Sequence, residues 1–159
     1  SNADGSASPA FGHFIAGLQQ HGAALMLIWA PFINSYRRYV VGSQAPINLH
    51  WGPDNRTAGL RVPHSVPAAR RVENRIAGAD ANPYLAVAAS LAAGLSGMQA
   101  QRAPSAEMPG DAYCAASDRT LALPRSFDAA HARMAESPEV AHCLREISAW
   151  ERRYLLPQA

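Results

Sequence analysis

The sequence contains no lysine: all fourteen of its basic residues are arginine. A domain built for general nucleic-acid binding usually mixes the two, because tracking phosphates needs only positive charge. Arginine alone fits either selected planar forks or a GC-rich coding bias. Cysteine is almost absent as well. Cys114 and Cys143 are too few and too far apart for a zinc site or a disulfide framework, which points to two free thiols in a reducing, cytoplasmic setting. No apolar run approaches the roughly 18 residues of a membrane span. The Ala24–Ala30 run continues an amphipathic pattern and reads as neither signal peptide nor anchor. There is no internal repeat and no low-complexity tract. The 159 residues suffice for one domain with a core, and Ser1–Ala3 reads as an expression-vector remnant.

What is there concentrates between Asn34 and Tyr84. Seven of the fourteen arginines lie in this stretch: Arg37, Arg38, Arg56, Arg61, Arg70, Arg71 and Arg75. Only Asp54, Glu73 and Asp80 oppose them. Prolines and glycines cut the stretch into short pieces, several with strand character. Arginines spaced along strands and turns can converge on one polyanion, and the guanidinium forks onto carboxylate or phosphate oxygens while staying charged.

The flanking sequence predicts helices. Ser8-Pro9 supplies a cap and a first-turn proline for a helix through about Trp29, ended by Pro31. Ile47 and Leu49 alternate with Asn48 and His50, which argues for a strand. Thr57–Val62 gives a second and Arg70–Ile76 a third, with Gly52–Asn55 and Pro63–Ser65 as turns. Asn82-Pro83 repeats the cap and proline, and small residues on several faces of Tyr84–Gln99 imply a buried helix. Residues 100–123 read as a loop, and Ser126 caps a short helix through Met134. Ser137-Pro138 opens a last helix striped by Val140, Cys143, Leu144, Ile147 and Trp150, with Arg152 and Arg153 near its C-terminal end.

Within the third strand Arg71, Glu73 and Arg75 stand at i, i+2 and i+4, so all three point to one face. A carboxylate between two arginines stays ionised, which suits a ligand for a hard divalent cation. An exposed charge ladder gives the same pattern. His13, His21, His50 and His64 read as surface or turn residues, and Trp51 as a packed strand-end aromatic.

Several ordered motifs carry a family resemblance. Asn34-Ser35-Tyr36-Arg37-Arg38, Ala45-Pro46-Ile47-Asn48, Trp51-Gly52, Asn55-Arg56 and Arg61-Val62-Pro63 come first. Ala69-Arg70-Arg71-Val72-Glu73-Asn74-Arg75 and Ala81-Asn82-Pro83-Tyr84 follow in the same order. Together they resemble the catalytic domain of glutamine synthetases, with wording similar to the glutamylpolyamine synthetase branch. The resemblance implies an α+β fold with a short antiparallel sheet packed by helices. It also implies a ligase that uses ATP to form γ-glutamyl phosphate, which an amine attacks to give an amide. By the same likeness Arg38 and Arg75 bind the glutamate substrate, and Arg56 and Arg61 hold ATP phosphates and the transferring phosphoryl group. Arg71 lies near the nucleotide, and Glu73 is a ligand of Mg2+ or Mn2+. Phosphoryl transfer is mostly positioning and charge neutralisation, so arginines and a metal suit it.

Departures from the pattern narrow the reading. Gln44 stands where glutamine synthetases proper carry a flap glutamate that serves the ammonium site, and a neutral amide cannot act as that base. This favours a polyamine or another primary amine over ammonia. Ala68 replaces a lysine that many members place near the adenine. Tyr113 lies where some relatives are nucleotidylated, but its surroundings differ. The upstream metal ligands and the small β-grasp domain are not in this sequence, and Glu73 alone cannot supply the roughly six oxygens a magnesium site needs. Residues 4–159 therefore read as a C-terminal fragment of such a catalytic domain, inactive by itself and prone to homo-oligomerise. A non-catalytic sensing relative is the alternative; a nucleic-acid binder and a membrane partner are disfavoured.

Overall fold

The computed structural model describes residues 1–114, 119–138 and 140. The Ser8 hydroxyl accepts from the Phe11 amide and Pro9 fills the first helical position, so α1 runs Pro9–His21. It does not continue to Trp29. Gly22 is pressed against the Leu49 side chain, and the chain turns through Ala24 and Leu25, whose amides both donate to His21 O. A four-residue helix, α2, then spans Met26–Trp29. The physical reason is that residues 23–30 are apolar on every face. Leu25, Met26, Trp29 and Ala30 are all buried, so the segment enters the core instead of keeping one stripe inward.

Asn82 caps α3, Pro83–Gln99, its side chain accepting from the Tyr84 and Leu85 amides. This helix packs on α1 at backbone distance: a Cβ on Gly17 would lie 2.0 Å from Ala93 O, and one on Gly97 would lie 2.2 Å from His13 O. Burial is confined to that face, at Ala89, Ala93, Gly94 and Gly97. Tyr84, Val87, Leu91, Leu95 and Met98 form an exposed apolar stripe opposite, which corrects the expectation of burial on several faces. Ser126 caps α4, Phe127–Ala135, which packs on α2. Val140 is buried; the expected last helix beyond it, with Cys143, Leu144, Ile147, Trp150, Arg152 and Arg153, lies outside the described residues.

The sheet is small and mixed rather than antiparallel. Its order is β1 (Trp51–Pro53), β2 (Leu60–Val62), β3 (Glu73–Asn74). β1 and β2 run parallel with Trp51 opposite Leu60, while β2 and β3 run antiparallel with Arg61 opposite Glu73. Residues 47–49 are extended as expected, yet they bond elsewhere: Leu49 N donates to Leu121 O at 2.7 Å and Leu123 N to Ile47 O at 3.2 Å. The expected alternation of buried and solvated residues also gives way there. Asn48 and His50 are buried with Ile47 and Leu49, and both ends of the Asn48 amide are satisfied by the Thr57 and Ala112 carbonyls and the His50 and Gly59 amides. His21 is buried as well, its Nε2 3.1 Å from Ser96 Oγ, and His13 is half-buried with Nδ1 2.6 Å from Arg102 O. His64 is exposed and Trp51 packs against the core, both as expected.

The segment Ile33–Arg38 forms a 3₁₀ turn that buries Tyr36, edge-on to Tyr39 and Phe127. The Tyr36 hydroxyl has no hydrogen-bond partner among the described residues. Burial, with a smaller contribution from Tyr39, pushes its pKa up to about 12. A raised folded-state value means that the neutral phenol's contribution is complete below its ordinary pKa near 10.0 and is lost as pH rises through about 12. Melting temperatures followed from pH 9 upward should fall in that window. Tyr36→Phe should flatten the fall and add about 1 kcal/mol at neutral pH by removing a buried, unsatisfied hydroxyl. An unchanged alkaline limb in that variant would count against the assignment.

Candidate functional site

The turn after β1, the middle of β2, the start of β3 and the loop after it bring their charged side chains within reach of one another. Arg61 is central. Its Nη1 donates to Glu73 Oε2 at 2.8 Å across the β2–β3 pair, and its Nε donates to Asp54 Oδ1 at 3.0 Å, with Nη2 closing on the same oxygen. Glu73 first and Asp54 second hold the Arg61 guanidinium still more firmly protonated, and the hydrogen bonds from Arg61 hold Asp54 below the usual carboxylate range. Glu73 is thus paired across the sheet. The expected Arg71–Glu73–Arg75 ladder forms only in part: Arg75 stays within reach of the Glu73 charge, whereas Arg71 leaves the row. Arg71 is exposed and turns back to Ala69 O at 3.4 Å.

Arg75 joins the cluster from the loop after β3. Its Nη1 donates to Arg56 O and its Nη2 to Gln44 O at 3.1 Å. Burial lowers its pKa, against the favourable charge of Tyr113 and Glu73. Arg56 itself is exposed, and its guanidinium makes no hydrogen bond or ion pair among the described residues. Arg38 reaches the same loop from behind: Nη1 donates to Ile76 O at 2.5 Å and Nη2 to Arg75 O at 3.4 Å. The buried Tyr39 hydroxyl shares that task, donating to Ile76 O at 2.8 Å. Arg61, Glu73, Arg75 and Arg56 are therefore brought within reach of one another's charge, Arg38 braces their loop from behind, and Arg71 stands at the margin. Arg70 points away, with Nη2 on Gly5 O at 2.7 Å.

Sequence reasoning missed the residues that hold this arrangement. Asn55 donates to Met108 O and Gly110 O and accepts from both Thr57 N and Thr57 Oγ1, fixing the turn that carries Arg56. Ser35 closes on Asp80 at 2.5 Å, tying the 3₁₀ turn to the loop after β3. An Asn followed two residues later by Thr is a local turn signal. The partners at 108–112 carry no such signal, because they are distant in sequence.

The cluster suits oxyanions. It does not by itself suit a divalent metal, since among the described residues no group of three or more His, Cys, Asp or Glu could hold one. Glu73 would need ligands from outside these residues.

The chain belongs to the glutamine synthetase family: residues 1–148 match the model of the glutamine synthetase catalytic domain. Among particular relatives, it is 46% identical over 103 residues to a glutamine synthetase of Archaeoglobus fulgidus. It is 46% identical over 113 residues to a gamma-glutamylethanolamide synthetase of Streptomyces coelicolor, and 41% over 125 residues to a glutamate–isopropylamine ligase of a Pseudomonas species. These matches cover 64%, 70% and 79% of this chain but only 21%, 24% and 27% of those proteins, so the chain spans about a quarter of their length. Among solved structures, a GmaS/ADP complex superposes with a TM-score of 0.77 at 29% identity, covering 96% of this chain and 41% of that one. Ligand-free GmaS gives 0.76 at 32% identity, covering 91% and 33%.

Proposed function

We infer that this chain is the C-terminal part of the catalytic domain of an ATP-dependent ligase that joins glutamate to an amine. The observation that carries the reading is the meeting of Arg56, Arg61, Glu73 and Arg75 from four separate segments: the turn after β1, β2, β3 and the loop after β3. In the reaction the γ-phosphoryl group of ATP passes to the glutamate side-chain carboxylate, giving γ-glutamyl phosphate and ADP. The amine nitrogen then bonds to the acyl carbon, phosphate leaves with the acyl C–O pair, and the nitrogen loses a proton. Arg56, whose guanidinium is unpaired, and Arg61 are assigned to the phosphate oxygens, with Arg71 at the edge near the nucleotide. Arg75 is assigned to glutamate. Arg38 is assigned there too, and its grip on the Arg75 and Ile76 carbonyls fixes where Arg75 emerges. Glu73 would serve as one ligand of a Mg2+ or Mn2+ ion whose other ligands come from chain outside these residues, and the ion would supply charge neutralisation on the phosphates.

Gln44 argues for an acceptor other than ammonia: a polyamine or another primary amine. The relatives named for an ethanolamide and for isopropylamine are consistent with that class. The absence of the flap carboxylate also favours a second reading, a sensing relative that binds glutamate or nucleotide without turnover. A homo-oligomer fits the exposed stripe on α3, and no helix among the described residues is long and apolar enough to cross a membrane.

The test is ATP-dependent phosphate release by a full-length chain carrying this segment, with glutamate and a panel of amines. Primary amines should outpace ammonia by about 10²-fold or more, the scale of one general-base contribution, and Gln44→Glu should shift the preference toward ammonia. Equal rates with ammonia and amines overturn the acceptor assignment; ligand binding with no turnover selects the sensing relative.

A further inference from the structure

The segment from Arg38 to Ala45 carries Gln44 past the arginine cluster, and its backbone is held at unusual points. Gln44 sits at φ 64°, a left-handed conformation that side-chain-bearing residues seldom adopt without support. Ser43 braces the bend from inside, its hydroxyl 2.5 Å from Arg38 O and 2.8 Å from Val40 O. Two contacts come from outside. Arg75 Nη2 donates to Gln44 O, and the Tyr113 hydroxyl donates to the very next carbonyl, Ala45 O, at 2.9 Å. Consecutive peptide carbonyls are therefore gripped by two side chains that enter from different parts of the fold.

Tyr113 is a fixed post. The preceding residue, Ala112, is buried; its amide donates to Thr57 Oγ1 at 2.8 Å and its carbonyl accepts from Asn48 Nδ2 at 3.3 Å. The Tyr113 amide donates to Asp111 Oδ1 at 2.9 Å. Asn55 fastens Gly110 to the same turn that presents Arg56. The loop that supplies the hydroxyl is thereby locked to the turn that supplies a cation of the site.

We propose that Tyr113 is a positioning residue for the amine side of the site: its hydroxyl holds the Gln44 segment in its left-handed bend and so sets where Gln44 faces the incoming amine. This rests on the ligase reading above for its chemical consequence, but the mechanical part stands alone. Losing one neutral hydrogen bond raises the population of the released segment roughly fivefold.

The mechanical part is tested on this chain by amide hydrogen exchange. Tyr113→Phe keeps the ring and removes only the hydroxyl. The hydrogen-bonded amides of Ser43 and Ala45 should exchange roughly fivefold faster, with those of α1 and α3 unchanged. No change at Ser43 and Ala45, or equal acceleration throughout α1 and α3, overturns the proposal. The chemical part is tested in a full-length chain containing this segment, where Tyr113→Phe should raise KM for the amine by up to roughly fivefold, and by more than KM for glutamate. An equal rise for both substrates, or none for the amine, overturns the amine assignment. If the unsubstituted full-length chain shows no turnover, the ligase reading fails while the exchange result still decides the fate of the tether.

Discussion

Gly17→Ala is expected to destabilise the chain by about 3 kcal/mol, although alanine is the better helix former by about 1 kcal/mol. The added methyl would stand 2.0 Å from Ala93 O and 2.8 Å from Gly97 N, both backbone atoms of α3. Neither can rotate away, so the helices must separate. Separation also opens the neighbouring contacts, where Gly94 lies under the Phe14 ring and Gly97 under His13 O. For a domain whose total stability is of the order of 5–15 kcal/mol this is a large fraction. Gly12→Ala, five residues earlier and about one and a half turns away on the same helix, provides the control. Its methyl would meet only the Pro104 side chain at 3.6 Å, an ordinary contact, so the gain in helix propensity should show as stabilisation of up to about 1 kcal/mol. Urea unfolding of the two variants should move the midpoint in opposite directions. A Gly17→Ala chain as stable as its parent would mean that α1 and α3 do not touch at their backbones.

The parts of this fold that were legible in the sequence are those decided within one turn of chain. Ser8, Asn82 and Ser126 each sit before a helix and each side chain accepts from the expected amides. The small residues of α3 announced a close contact, and the contact with α1 is there. What periodicity could not say is that only one side of α3 would be covered by the described residues. Strand direction was equally hidden. The apolar–polar alternation around Ile47–Leu49 marked an extended segment, but not that both kinds of residue are buried nor that their partner is Leu121–Leu123, more than seventy residues on; a pattern of period two carries no address. The site follows the same division. The charge of Arg61 and Glu73 was readable; that they face one another depends on the β2–β3 register. Tyr113 reaches Ala45 across the fold, and no local signal marks it.

Arg61→Lys should cost a full-length ligase carrying this segment about 10²–10³ in kcat/KM while leaving its melting temperature close to the parent's. The guanidinium serves two directions at once, with Nη1 on Glu73 and Nε and Nη2 on Asp54. A lysine ammonium is a single point on a flexible stem and can reach only one of these carboxylates. Whichever it chooses, the other loses its partner and the fixed spacing between cation and Glu73 is lost. Catalysis by electrostatic preorganisation is sensitive to that spacing, because donors displaced by an ångström no longer meet the charge that develops on the transferring phosphoryl group. Stability is far less sensitive, since both carboxylates are substantially exposed and exposed ion pairs contribute little. A rate within threefold of the parent for Arg61→Lys would show that only its positive charge matters. A large fall in melting temperature would instead assign Arg61 to the fold, and the phosphate role would pass to Arg56, whose guanidinium is free of both carboxylates.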